Sequence, residues 1–543
     1  MTRTTPETPA RSWPLRQAGR LVDLVDRRIT GSHQVRRNMR RAVPDHWSFW
    51  LGYIALFSLI LVLLSGVFLT LWFKPSMTPA VYDGAYGPLR GVVVSEAYAS
   101  TLDITFEVRG GLLVRQVHYW ATHVFIAAVA LHMLRTFFTG AFRTPRKLNW
   151  LAGLGLLVLG ILGAYTGHAL PDDLLSGTGL RVIEGGMLAI PVVGTYLSSL
   201  VFGGGFPGDD IISRLNVVHV FVVPGLLVAL LALHLVLVRR HGRTQWGGAG
   251  RTNRNVVGPP RAAHTGRAAA LMLIVSGVVV AMAATLQINP VWLRGPYDPS
   301  QVSAGSQPDW FVAFLDGGLR LMPPWEVHVF GHPLTLSVLI PAVVLPGVLL
   351  MVLGIYPWLE EKITGDRHDQ HILDRPRNMP ARTGLGVAFI VFYLVLWIAG
   401  GNDILATRFD VPVNWMTRFL QVSLILLPPL AYSVTKRICL GLQRRDRDKV
   451  LYGRESGINF VSPAGGFSEL RTPLSRHEAY GLTSHDLPAP FDPGPELDEN
   501  GIPAPRHRSA RVRARLSQVY FGDVVRKPTA AELAAARRQG HED

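Results

Sequence analysis

Cysteine is almost missing: Cys439 is the only one among 543 residues. A disulfide within the chain, a cysteine-rich zinc site and an iron–sulfur cluster ligated by this chain alone are therefore excluded. With no Cys-x-x-Cys-His, no haem can be attached in the c-type manner. Charge is sparse as well, with Asp, Glu, Lys and Arg making up 17% of residues against 48% hydrophobic. The mean hydropathy is +0.24. Apolar runs of about 20 residues, enough to cross the hydrocarbon core of a bilayer, recur along the chain. A polytopic membrane protein is expected rather than a soluble one. Eight spans are predicted, at 47–73, 112–139, 150–170, 215–238, 268–288, 334–356, 384–400 and 416–438.

Acidic residues are outnumbered, 38 against 54 Lys and Arg, for a net charge of +16. Such an excess can signal nucleic-acid binding, but its distribution points to a membrane. With the N-terminus in the cytoplasm, the N-terminal arm and the even-numbered loops hold 25 Arg and Lys, and the opposite loops hold eight. That is the positive-inside pattern. Eight spans return the C-terminus to the cytoplasm, and no nucleic-acid partner is expected. Ten of the arginines lie in 1–46, where the apolar h-region of a cleavable signal peptide is not apparent. There Leu15, Leu21, Leu24, Val25 and Ile29 recur at near-helical spacing among Arg16, Arg20, Arg27 and Arg28. This fits an amphipathic helix on an anionic leaflet; a disordered basic arm is the alternative.

Histidines carry the functional signal. The second span, GLLVRQVHYWATHVFIAAVALHMLRTFF, has His118 and His132 fourteen residues apart, and the fourth, LNVVHVFVVPGLLVALLALHLVLV, has His219 and His234 fifteen apart. At about 100° per residue, fourteen steps fall about 40° short of whole turns and fifteen overshoot by about 60°. Each pair thus lies on roughly one helix face, with about 21 Å between its members. Both spans run from outside to inside, so His118 meets His219 near the outer surface and His132 meets His234 near the inner one. Two stacked His–His sites are how a protein holds two bis-imidazole haems for moving electrons across a membrane. A lone histidine in an apolar helix is more often structural, but four with matching intervals and depths are hard to dismiss. His123, about 140° around the helix from His118, reads as a packed or hydrogen-bonded residue.

Gly52 and Gly66 in the first span, and Gly153 and Gly167 in the third, repeat the fourteen-residue interval. Any one of them would be read as helix–helix packing. Two pairs at the histidine interval suggest glycines facing flat haem rings at two depths, although Gly155, Gly160 and Gly163 dilute the signal. Arg115 lies three residues before His118 and Arg135 three after His132, at opposite ends of the span, where haem propionates could pair with them. For Arg135, snorkelling to headgroups is an equal alternative. Two stretches fall on the outer face: 170–195, where Pro171 stops the helix and an amphipathic segment follows, and 307–326. In the latter, Asp309 is a carboxylate among aromatics, able to accept a proton from a hydroquinone as electrons leave. Capping of a helix that begins near Trp310 is the structural alternative.

The histidine pairs, the glycine pairs, Arg115, Arg135, the AIPVVGT stretch and Pro308-Asp309-Trp310-Phe311, in place of Pro-Glu-Trp-Tyr, form a combined pattern. It resembles the cytochrome b subunit of the respiratory cytochrome bc complex (quinol:cytochrome c reductase), over roughly residues 40 to 400. The fifteen-residue interval, the PDD after Leu170, the 360–377 loop and the long tail resemble the actinobacterial type. The resemblance implies an all-α polytopic membrane protein of eight transmembrane helices, the first four forming a di-haem four-helix bundle, with extra outer-surface helices and a cytoplasmic C-terminal extension. The corresponding divisions are a basic arm (1–46), the bundle (47–240), a cytoplasmic linker (241–267), a C-terminal transmembrane domain (268–439) and a tail (440–543). His118, His132, His219 and His234 would ligate two non-covalent b-type haems. Asp309, flanked by Pro308, Trp310 and Phe311, would serve a quinol-oxidation site outside, and His241 is the candidate histidine of an inner quinone site. A Q-cycle follows, with menaquinone favoured. The implied partners are a Rieske-type iron–sulfur subunit, a cytochrome c subunit, a second copy in a homodimer and a haem-copper oxidase in a supercomplex, all in a bacterial plasma membrane.

The chain departs from that pattern in several places. Asp309 replaces glutamate, Phe311 replaces tyrosine, and Asp172–Asp173 replace Trp-Gly. His168 stands where a tyrosine is common, and His264–Thr265 replace Lys-Asp before the fifth span. The tail is expected to be mostly extended, apart from a helix over Thr529–Gln539 with a Thr529/Glu532 capping box, expected to dock on a partner subunit. Two rivals remain. A di-haem membrane anchor of another quinone-linked dehydrogenase or reductase would usually have four or five spans and no PDWF-like loop. A proton-coupled transporter with buried histidines would bind no haem.

Overall fold

A computed structural model describes residues 37–301, 307–461, 463, 465–483, 490–492 and 507–539. The amphipathic helix expected within 15–29 lies outside them. Among the described residues, eight helices are long and apolar enough to cross a membrane: Trp47–Thr70, Gly111–Phe138, Lys147–Ala169, Ile211–His241, Arg261–Thr285, Leu336–Thr364, Pro380–Ala399 and Val413–Tyr452. All eight expected spans are present. The eighth runs far beyond its apolar stretch, because Lys436–Tyr452 is rich in Lys, Arg, Leu and Gln, which extend a helix at little cost once it has left the bilayer.

The first span packs along the second and the third along the fourth; the second and third touch, and the fifth lies against the first and second. The bundle's middle is an apolar plug formed by Ala55, Leu59, Phe125, Ile126, Val129, Leu156, Val223 and Leu227. Phe125 and Ile126 fall halfway between His118 and His132, so the plug separates the two histidine levels. Two of the diluting glycines serve it. A Cβ on Gly160 would lie 2.8 Å from the Phe125 ring, and one on Gly155 2.8 Å from Leu230. These are packing glycines.

The fourth span is interrupted by a π turn at Val218–Val222, where the Val223 N–H bonds back to the Val218 carbonyl. Pro224 follows; its ring cannot donate to Val220, and the π turn opens the helix where the α ladder would break. A π turn takes up one extra residue. The fifteen-residue interval from His219 to His234 therefore spans the rise that fourteen residues cover in the second span, and the 60° overshoot expected of a regular helix is absorbed.

At the His118 end, the segments outside the spans fold into a short hairpin (Pro79–Val81 with Val93–Ser95), a helix capped by Ser95 (Glu96–Phe106), and a pair of helices, Leu174–Leu188 and Gly194–Phe202. At the other end the tail is more structured than expected. It carries a hairpin (Arg454–Val461 with Phe467–Thr472) and helices Arg476–Thr483, His507–Phe521 and Ala530–Gln539. The Thr529/Glu532 capping box forms, with the Glu532 N–H donating to Thr529 Oγ1 (3.2 Å) and the Thr529 N–H to Glu532 Oε2 (2.8 Å). This helix docks on the chain's own eighth span, where Arg447 pairs with Glu532 at 2.5 Å. Tyr520 is sunk into the same end of the molecule. Its hydroxyl donates to Glu360 (2.9 Å), whose carboxylate takes a two-pronged bond from the fully buried Arg382 (2.6 and 3.0 Å).

Candidate functional site: paired imidazoles and the cavity beside them

His118 and His219 face each other with ring centres 6.1 Å apart. Hydrogen bonds hold both rings by Nδ1: His118 to Ser65 Oγ (3.0 Å), and His219 to the Gly163 carbonyl (3.0 Å) and Thr166 Oγ1 (3.2 Å). With Nδ1 engaged, Nε2 is the nitrogen left for a metal. His132 and His234, within electrostatic range of each other at the next level, bury Nδ1 atoms with no hydrogen-bond partner among the described residues.

Each of the four glycines lies against one of the imidazoles. A Cβ on Gly66 would lie 3.2 Å from His118 Cε1, on Gly167 2.4 Å from His219 Cε1, on Gly52 3.4 Å from His132 Cε1 and on Gly153 3.9 Å from His234 Cε1. The bare backbone of the first and third spans is the space into which each ring's outer edge fits. The glycine interval copies the histidine interval because each glycine serves one histidine.

Arg115 is buried; its Nη2 donates to the Asn289 carbonyl (2.9 Å), while Nη1 has no partner among the described residues. Arg135 lies over the Phe49 ring at 4.5 Å, with buried Nε and Nη2 also unpartnered. Guanidinium N–H groups left bare in an apolar bundle call for an anion. Neither arginine snorkels freely. The imidazole spacing fits a haem iron: metal–imidazole bonds of about 2 Å on both sides require ring centres about 6 Å apart. Among the described residues, no group of three His, Cys, Asp or Glu is placed to hold a metal ion. Two imidazoles without a third protein donor suit an iron whose remaining ligands come from a porphyrin.

A cavity of about 360 Å³ opens beside His118 and His219 and reaches Asp309 and Phe311. Asp309 does not cap the following helix, Ala313–Leu321, which begins without a side-chain cap. Its carboxylate turns into the cavity between two histidines, with Oδ1 3.9 Å from His123 Nε2 and Oδ2 3.9 Å from His168 Nδ1. Trp310 donates its indole N–H to His123 Nδ1 at 3.1 Å, and the Phe311 ring lies 5.9 Å from that imidazole. Pro308 and Trp310 are not on the cavity wall. Tyr119, also on the wall, accepts from the Asn289 side-chain amide, which in turn bonds Arg294. Tyr119 carries no spacing signal, whereas His123, read from its helical position as a packed or hydrogen-bonded residue, is hydrogen-bonded as expected.

Asp172 and Asp173 lie just behind the cavity. Asp172 holds a φ of +55°, and its Oδ2 accepts from Ser95 Oγ at 2.6 Å. Burial pushes its carboxyl up to about 6. Asp173 is fully buried, with one oxygen 3.5 Å from Arg294. His241 is far from this cavity, at the last turn of the fourth span, with a buried Nδ1 that has no hydrogen-bond partner among the described residues. At that end His264 bonds Tyr53 Oη (3.0 Å), stacks on Trp50 at 4.6 Å and shares Tyr53 with Arg243 (3.1 Å). An imidazole, a phenol and a guanidinium thus stand together at the position where His264–Thr265 replace Lys-Asp.

Facing imidazoles within a membrane-spanning bundle, with glycine clearances and bare buried guanidinium groups, define an integral membrane protein of the b-type cytochrome class. Residues 123–296 match the family described as Cytochrome b(N-terminal)/b6/petB. The cytochrome bc1 complex cytochrome b subunit of Streptomyces coelicolor is 49% identical over 97% of this chain and 98% of its own. Those of Corynebacterium diphtheriae and Mycobacterium tuberculosis are 47% and 44% identical, covering 87% and 96% of this chain and 86% and 93% of theirs. A solved hyperthermophilic respiratory Complex III chain, 22% identical, shares the fold with a TM-score of 0.58 over 77% of this chain and all of its own. The chain belongs to the cytochrome b subunits of the cytochrome bc1 complex, the quinol:cytochrome c reductase, and these three relatives are actinobacterial.

Proposed function

We propose that this subunit oxidises quinol in the Asp309 cavity and returns electrons to quinone at the opposite membrane face. The observation that carries the reading is the continuity of one cavity from the His118–His219 pair to the Asp309 carboxylate. His118, His219, His132 and His234 would hold two non-covalent b-type haems, with Arg115 and Arg135 meeting their propionates. Bound there, the two haems supply one-electron redox chemistry at two depths. Asp309 takes a proton from the quinol hydroxyl as the electrons leave. One electron departs to a Rieske-type iron–sulfur subunit and onward to a cytochrome c subunit, since this chain offers ligands for neither centre. The other crosses the bundle, from the His118 level to the His132 level, towards quinone held near His241 and His264. Protons are released at the His118 end and taken up at the other, a Q-cycle.

The positive-inside charge pattern supports cytoplasmic termini in a bacterial plasma membrane. The actinobacterial kinship favours menaquinone, a homodimer, and a supercomplex with a haem-copper oxidase. Full-length similarity to bc1 subunits disfavours the dehydrogenase-anchor and transporter readings. Replacing His118 or His219 with Leu should remove one of two b-type signals in the reduced-minus-oxidised spectrum of membranes; an unchanged spectrum ends the paired-imidazole reading.

A further inference from the structure

Asp309 stands between two histidines that differ in hydrogen bonding. Trp310 donates to His123 Nδ1, so in the neutral imidazole the proton sits on Nε2, the atom facing Asp309 Oδ1 at 3.9 Å. His123 can therefore donate to the carboxylate but has no free nitrogen with which to take a proton from it. His168 is the opposite case. Its Nδ1 is buried without a hydrogen-bond partner among the described residues and faces Asp309 Oδ2 at 3.9 Å. Both gaps are wider than a hydrogen bond, and a side-chain rotation or one bridging water closes them, as catalytic contacts do when substrate enters.

We propose that His168 is the proton acceptor that discharges Asp309, while His123, locked by Trp310, is the positioning residue that aims the carboxylate. The proposal rests on the quinol-oxidation reading and adds the next station to it. The quinol O–H breaks and an Asp309 O–H forms. That O–H then breaks as an Nδ1–H forms on His168, leaving Asp309 ionised for the second proton; no electron moves in either transfer. Among the described residues, the titratable or charged groups on the same wall besides Asp309 are His168, His123, Tyr119, His118, His219 and Arg115. Asp309 is the only carboxylate among them, so a proton leaving it along this wall passes to an imidazole.

The test uses the assembled complex in native membranes, with quinol:cytochrome c turnover measured from pH 5 to 9. H168Q keeps a polar side chain but cannot accept a proton. It should lower kcat about 100-fold, the scale of one acid–base contribution, with both b-type signals intact. H123Q keeps an N–H donor and should act mainly on KM. H168E restores an acceptor, a carboxylate being intrinsically less basic than an imidazole, and should recover turnover with the acid limb of the kcat profile moved to lower pH. Wild-type kcat in H168Q overturns the proposal, and so does an unmoved acid limb in H168E, which also serves if H168Q fails to assemble. Full activity in D309N would instead overturn the underlying reading of the cavity.

Discussion

A methyl group at position 167 is the sharpest test of how the imidazoles are held. In Gly167→Ala the new Cβ would sit 2.4 Å from His219 Cε1, 2.9 Å from Nε2 and 3.0 Å from Nδ1. Carbon–carbon contacts relax at about 3.5–4.0 Å, so the ring has to retreat by about 1 Å. It cannot do so freely, because Nδ1 is tied to the Gly163 carbonyl and Thr166 Oγ1. Breaking those bonds costs about 0.5–1.5 kcal/mol each, and crowding a packed site about 1–3 kcal/mol. Taken together, several kcal/mol fall on one histidine level, and about 1.4 kcal/mol is tenfold in affinity. Reduced-minus-oxidised spectra of membranes should show one b-type signal lost or shifted. Gly153→Ala is the control. Its Cβ would lie 3.9 Å from His234 Cε1, an ordinary contact, with Gly52 and Gly66 intermediate at 3.4 and 3.2 Å. Equal damage from G153A and G167A would refute clearance for the imidazole as the reason for these glycines.

Two further perturbations bear on the scaffold. Asp172 is buried with its carboxyl pushed up to about 6 from 3.8, so its contribution to stability is full below about pH 4 and is lost as pH rises through about 6. D172N, which keeps an acceptor for Ser95 and tolerates the positive φ, should match wild type at pH 4. It should be more stable by about 1–3 kcal/mol at pH 7, read by thermal unfolding of the purified subunit complex; an equal offset at both pH values would refute this. Removing the half-exposed Val222 deletes the extra residue of the π turn and gives the fourth span the interval of the second. Both b-type signals should survive that deletion. Inserting an alanine after Val129, where no π turn can absorb it, should swing His132 by about 100° and abolish one signal; equal tolerance of both changes would argue against the register account.

The eight spans and the four histidines were readable in the sequence because a membrane helix imposes one length and one period, and both leave marks in composition and spacing. What spacing could not show was which surface a small residue serves. Gly52 and Gly167 announced their intervals, yet only packing of neighbouring helices reveals that an imidazole edge fills each gap. Nor could hydropathy mark the end of the eighth span, where a charged stretch continues the helix and is held by ion pairs such as Arg447–Glu532 and Arg377–Asp446.

His123, hydrogen-bonded as its helical position suggests, shows why one helix's arithmetic leaves the cavity unread. Helical arithmetic placed it some 140° from His118 and so off the haem face, which is correct within its own helix. The cavity, however, is not bounded by one helix face. It wraps from the facing imidazoles round the second span to the PDWF segment, whose backbone is approached by the Tyr393 hydroxyl, 3.4 Å from the carbonyls of Trp310 and Phe311. A residue off the metal face thus becomes the neighbour of a carboxylate 186 positions away. On the proposed function the two jobs need different sides of one helix: the imidazoles face each other across an apolar bundle, whereas Asp309 would lie nearer the surface to which its proton departs. His118 and His123, one turn and a fraction apart, let a single helix serve both.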